Sequence, residues 1–74
     1  MACVSPDGKP TKSGLKILSA LENKTLSSQE ISSITGLPLF RVRSGLREMI
    51  NAGFITEKEG NFLLTEKGSS FIKE

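Results

Sequence analysis

The chain has 74 residues, a formal net charge of +2 and no histidine. That length holds one domain and leaves no room for two, and the charge is well short of the basic excess of a non-specific DNA coat. The missing histidine removes the usual general base and the commonest metal ligand, so neither a metal nor a cofactor site is expected.

No apolar run is long enough to span a membrane, and the N-terminus lacks the apolar region of a signal peptide. Cys3 is the only cysteine and forms no internal disulfide, which fits a reducing cytosol. A core this small gains from dimerisation or a bound partner.

Residues 1–10, with Pro6, Gly8 and Pro10 among polar neighbours, read as a flexible tail, and Cys3 as an incidental thiol within it. Over residues 12–23, Leu15, Leu18 and Leu21 recur at helical spacing with Ile17 beside them. This predicts a first helix whose leucine stripe enters the core. Thr11 or Ser13 caps it, and Gly14 weakens its first turn by up to about 1 kcal/mol relative to Ala. Thr25-Leu26 is too short to stand alone and pairs at a sheet edge.

Ser27-Ser28-Gln29-Glu30 is a capping box: the Ser27 hydroxyl accepts from an N–H three residues on, and Glu30 reaches back. A second helix follows to about Thr35, burying Ile31 and Ile34, and Gly36 stops it in the left-handed conformation. Pro38 suits the first turn of a third helix, because its missing N–H would be unbonded there. That helix runs over residues 38–52. At about 100° per residue, Leu39, Val42, Leu46, Met49 and Ile50 share one side. Phe40, Ser44, Arg47 and Asn51 centre the other side, flanked by Arg41, Arg43 and Glu48.

Gly53 caps the third helix. Residues 54–58 and 61–64 are two short strands around the hairpin turn Glu59-Gly60. Thr65 caps a last short helix that carries Phe71 and Ile72 inward. The eight carboxylates, Asp7, Glu22, Glu30, Glu48, Glu57, Glu59, Glu66 and Glu74, form no inward-facing pair, and nothing in the sequence argues for an enzyme.

The resulting order is mainly α with a small β-hairpin wing: a winged helix-turn-helix over residues 11–74, with a three-helix core, a two- to three-stranded antiparallel sheet and a short C-terminal helix. Leu26-Ser27-Ser28-Gln29-Glu30-Ile31, Thr35-Gly36-Leu37, Val42 with Leu46-Arg47-Glu48-Met49, and Ala52-Gly53-Phe54-Ile55 resemble the winged-helix regulators of the MarR, ArsR and PadR kinds. Leu64-Thr65-Glu66-Lys67-Gly68 is similar to the segment that leads out of their wing. The resemblance covers residues 12–74. It implies transcriptional regulation by sequence-specific binding to double-stranded DNA, with the helix at 38–52 in the major groove, and a homodimer on a palindromic site.

The candidate contact residues are Ser28, Gln29, Leu39, Phe40, Arg41, Arg43, Ser44, Arg47 and Lys58. A guanidinium fork suits both guanine edges and phosphate, and Ser44 adds a further polar contact. The start of the second helix offers unpaired N–H groups to a phosphate. Lys58 sits near the wing tip between Glu57 and Glu59, which makes the wing locally anionic. Phe40 is the misfit on a polar face, and three roles compete for it: packing against the turn or the second helix, contact with a thymine methyl, or anchorage of a protein partner. The last role belongs to the alternative reading, a winged-helix adaptor that binds protein without DNA.

Overall fold

The computed structural model describes residues 3–72; Met1 and Ala2 of the expected tail, and Lys73 and Glu74 at the domain's end, lie outside the described residues. Thr11 starts the first helix, α1 (Lys12–Ala20), by accepting a hydrogen bond from the Gly14 N–H. The helix ends at Ala20, three residues short of the expected 23, because the Leu21 N–H is shared between the Ile17 and Leu18 carbonyls and tightens the last turn. Asn23 then adopts a positive φ of 59°.

The inward stripe of α1 is Gly14, Ile17, Leu18 and Leu21, spaced i, i+3, i+4, i+7. Leu15 was expected in that stripe and is instead 37% exposed, because it lies about 100° round the helix from Gly14. Helix α2 (Ser28–Thr35) carries the complete capping box, Ser27 on the Glu30 N–H at 3.2 Å and Glu30 Oε1 on the Ser27 N–H at 2.8 Å, and it ends at Gly36 with φ 79°. Ile31 is buried as expected. Ile34 is not: it is 54% exposed, because the inward side of this short helix runs through Ser28, Ile31, Ser32 and Thr35.

Pro38 is the N-cap of α3 (Leu39–Ala52) rather than its first helical residue. Val42, Gly45, Leu46 and Met49 are buried along one side. Strands β1 (Ile55–Lys58) and β2 (Asn61–Leu64) pair antiparallel, Ile55 opposite Leu64 and Lys58 opposite Asn61. Glu59 and Gly60 both have positive φ, 53° and 83°, the geometry of the two-residue turns that match strand twist. Leu26 adds a single-bridge third strand, exchanging hydrogen bonds with Phe62 at 3.0 and 2.7 Å.

The chain after the wing closes the far end of α3. Gly53 caps that helix with φ 87°. The last carbonyls of α3 are then satisfied from α4 (Glu66–Ser69) and its cap: Thr65 Oγ1 donates to the Gly53 carbonyl at 2.6 Å, and Lys67 Nζ to the Ala52 carbonyl at 2.9 Å. Lys67 thus places its charge at the negative end of the α3 dipole and lies 5.2 Å from the centre of the Phe54 ring. Phe71 meets the same ring edge-on at 5.0 Å. Gly68 is pressed against the Phe54 backbone, where a Cβ would overlap the carbonyl.

The N-terminal segment corrects the sequence reading. Residues 3–10 are not a loose tail: Val4 bridges Pro10, the Thr11 N–H donates to the Cys3 carbonyl, and a Ser5–Asp7–Lys9 turn lies between. Cys3 is 4% exposed and belongs to the core. Its carbonyl lies where a Cβ on Gly14 would sit, and its Sγ where a Cβ on Gly45 would sit. Glu48 Oε1 accepts from the Cys3 N–H at 3.0 Å and the Val4 N–H at 3.4 Å. Gly14 is therefore a docking surface that tolerates no side chain, and its helix-weakening effect is offset by that contact. Among the described residues, no helix is long and apolar enough to cross a membrane.

Two outcomes are expected in urea unfolding. Gly68→Ala, which meets backbone, lowers stability by about 1–3 kcal/mol. Gly45→Ala meets the movable Cys3 thiol, so its cost shrinks in the Gly45→Ala, Cys3→Ala double variant; strict additivity would show that the thiol does not fill that space. Burial, and then the Glu48 carboxylate, push the Cys3 thiol above its ordinary pKa. The stability from burying the neutral thiol is thus complete below the ordinary thiol value of about 8.5 and is lost as pH rises above it. The midpoint should fall more steeply with alkaline pH in the native protein than in Cys3→Ala.

Candidate nucleic-acid interface

Because Val42, Leu46 and Met49 face the core, the α3 geometry forces Phe40, Ser44, Arg47 and Asn51 outward with Arg43 beside them, and all five are exposed. Phe40 is 71% exposed and is not among the side chains packed against the core, which counts against the packing role considered for it. Leu39 is half-buried at the edge of this face.

The three arginines do not act as one group. Arg43 and Arg47 are one turn apart and line a cleft between α3 and the wing, together with Ser28, Ile50, Glu57, Gly60 and Phe62. Among the described residues no carboxylate lies within 4.0 Å of either guanidinium. Arg41 lies on the other flank of α3, half-buried, on the side of Gly45 and Glu48, and its charge is felt by the Cys3 thiol. The structure brings Ser28, Arg43 and Arg47 together and separates Arg41 from them.

At the start of α2, Ser28 is half-buried and Gln29 exposed. Their N–H groups occupy the first helical positions, which have no partner within the helix. Glu30 is already at that terminus through the capping box, so part of the positive helix end is neutralised within the chain. Lys58 pairs with Asn61 at the end of the hairpin and is exposed, but it does not line the cleft.

Glu57, read from the sequence only as part of an anionic wing, is a neighbour of the candidate contact residues that sequence reasoning did not place among them. It lines the cleft with Arg43 and Arg47, because strand side chains alternate and Glu57 shares a face with the buried Ile55. That alternation was available in the sequence once Ile55 was placed in the core. An acidic side chain here works against phosphate and sharpens any requirement for a hydrogen-bond donor opposite it.

A family model described as wHTH-PRTase associated matches residues 15–74. No curated protein and no solved structure matches the chain. The matched segment includes every candidate contact residue, from Ser28 to Lys58.

The exposure of this face predicts that it contributes little to folding. Phe40→Ala, Arg43→Ala and Arg47→Ala should each shift unfolding free energy by no more than about 0.5 kcal/mol. Val42→Ala, on the buried side, should cost about 1–3 kcal/mol in the same urea titration.

Proposed function

The chain belongs to the wHTH-PRTase associated family, and on that premise we propose that it binds double-stranded DNA sequence-specifically as a transcriptional regulator, with α3 in the major groove. One observation carries the reading: Arg43, Arg47 and the Ser28 end of α2 converge on one side of the domain, in a cleft bounded by the wing. In this fold the third helix reads base edges while the second lies across the backbone. Arg43 and Arg47 supply guanidinium forks for guanine or phosphate, and Ser44 adds a hydroxyl on the same exposed face. Phe40 is free to meet a thymine methyl. The Ser28 and Gln29 N–H groups hold a phosphate.

The proposal takes in the homodimer and palindromic site that the resemblance to MarR, ArsR and PadR regulators implies, and it involves no enzyme chemistry and no cofactor. Arg41 and Lys58 have reduced parts in it, since one turns towards the N-terminal segment and the other lies outside the cleft.

A second reading rests on Phe40. An aromatic ring 71% exposed beside arginines matches the residue types that anchor protein interfaces. In that reading the domain is an adaptor, and the α3 face meets protein.

Fluorescence anisotropy on duplex DNA, first of mixed sequence and then enriched by binding-site selection, separates the two. About four phosphate contacts predict log K falling with log salt at a slope of about −3 to −4. Arg43→Ala and Arg47→Ala should each cost about 1–3 kcal/mol of affinity for the selected site. Arg41→Ala should cost less, and Glu57→Gln should strengthen binding to any sequence. Absence of binding at low salt and at a protein concentration of about 50 μM would reject the DNA reading, because even non-specific complexes form below about 100 μM.

A further inference from the structure

Helices α1 and α2 leave a second surface that the α3 face does not use. Lys12, Leu15, Lys16 and Ser19 recur at i, i+3, i+4 and i+7 along α1 and point away from the core. Across from them, Ile34 projects from α2, and a groove runs between the two helices. Leu15 is 37% and Ile34 54% exposed, two of the large apolar side chains that the fold leaves in water. Lys12, Lys16 and Lys24 rim the groove, and no carboxylate is among its lining residues. Ser19 and Ala20 are small, so a backbone can approach closely between the apolar pair.

We propose that this groove docks an acidic amphipathic helix of a partner protein. The helix would lay its apolar side on Leu15 and Ile34 and its carboxylates against the three lysines. Charge selects this occupant. A second copy seated here about a two-fold axis would set lysine against lysine, and like charges across an interface are repulsive. A phosphate backbone gains nothing from Leu15 and Ile34. A bilayer would gain only two apolar anchors here, too few for stable insertion. The groove shares no lining residue with the α3 cleft, so both can be occupied at once, and the inference stands independently of what α3 reads.

The test uses the whole chain, labelled for amide chemical-shift titration, and a synthetic peptide of about 15 residues. The peptide carries leucine at i, i+3, i+4 and i+7 and glutamate on the flanks. A twin peptide has lysine in place of every glutamate. Saturable shifts confined to α1 and α2 are expected with the glutamate peptide, and none with the twin. Ile34→Asp should weaken binding by about tenfold or more. Lys16→Glu should weaken the glutamate peptide and gain binding of the lysine twin. Both positions are exposed, and circular dichroism checks that the variants remain folded. The proposal is overturned if the glutamate peptide does not bind, if its shifts centre on Arg43 and Arg47, or if Ile34→Asp leaves its affinity unchanged. Displacement of the peptide by vesicles of phosphatidylserine and phosphatidylcholine would likewise overturn it and assign the groove to a lipid surface.

Discussion

Burial of Val42, Leu46 and Met49 along one side of α3 is the interaction on which the rest of the structure depends. The three are 0, 2 and 0% exposed, and each contributes about 1.5–3 kcal/mol by leaving water. In a domain this small, α1, α2 and β1 all pack against this one helix. Once that stripe is fixed inward, the helical period leaves Phe40, Ser44, Arg47 and Asn51 no direction but outward. The face that would meet a partner is thus a consequence of the core.

Both flanks of α3 are held by devices that fix its rotation. On one side the N-terminal segment inserts Cys3 against Gly14 and Gly45, and Glu48 receives the segment's backbone N–H groups. At the C-terminal end, Thr65 and Lys67 satisfy carbonyls that a helix end leaves orphaned, and Gly68 lets α4 settle on the Phe54 backbone. These contacts use glycines and a carboxylate whose positions look unremarkable one at a time. Together they fix the rotation of α3 and so the direction in which its outward side chains leave the helix, while the exposed arginines keep their own rotamer freedom.

Local chemistry was what the sequence made legible. The capping box at Ser27 and Glu30, the left-handed stops at Gly36 and Gly53 and the Glu59-Gly60 turn each depend on a few neighbouring residues, and each appears as read. The illegible parts depend on contacts distant in the chain. Leu15 and Ile34 look like core residues by spacing, and only the packing of Gly14 against Cys3 and the brevity of α2 reveal that they face water. The N-terminal segment has the composition of a tail, yet Glu48, some 45 positions away, holds it down. The separation of Arg41 from Arg43 and Arg47 has the same origin. A helical wheel places all three beside one face, whereas the wing and the N-terminal segment occupy opposite flanks of it.

The distribution of charge then bears on how such a domain divides its surface. The net charge is only +2, but the cations are not spread evenly. Arg43 and Arg47 lie together in the α3 cleft, and Lys12, Lys16 and Lys24 together on the α1–α2 groove. Glu57 on the wing is the one carboxylate among the residues that line the cleft. An anion entering the cleft would therefore meet two guanidinium groups and one carboxylate, a balance that favours donor-matched contacts over general attraction. The lysine groove has no carboxylate among its lining residues and carries two exposed apolar side chains instead. The two surfaces share no lining residue and rest on the same helical core, so the geometry leaves each accessible while the other is covered.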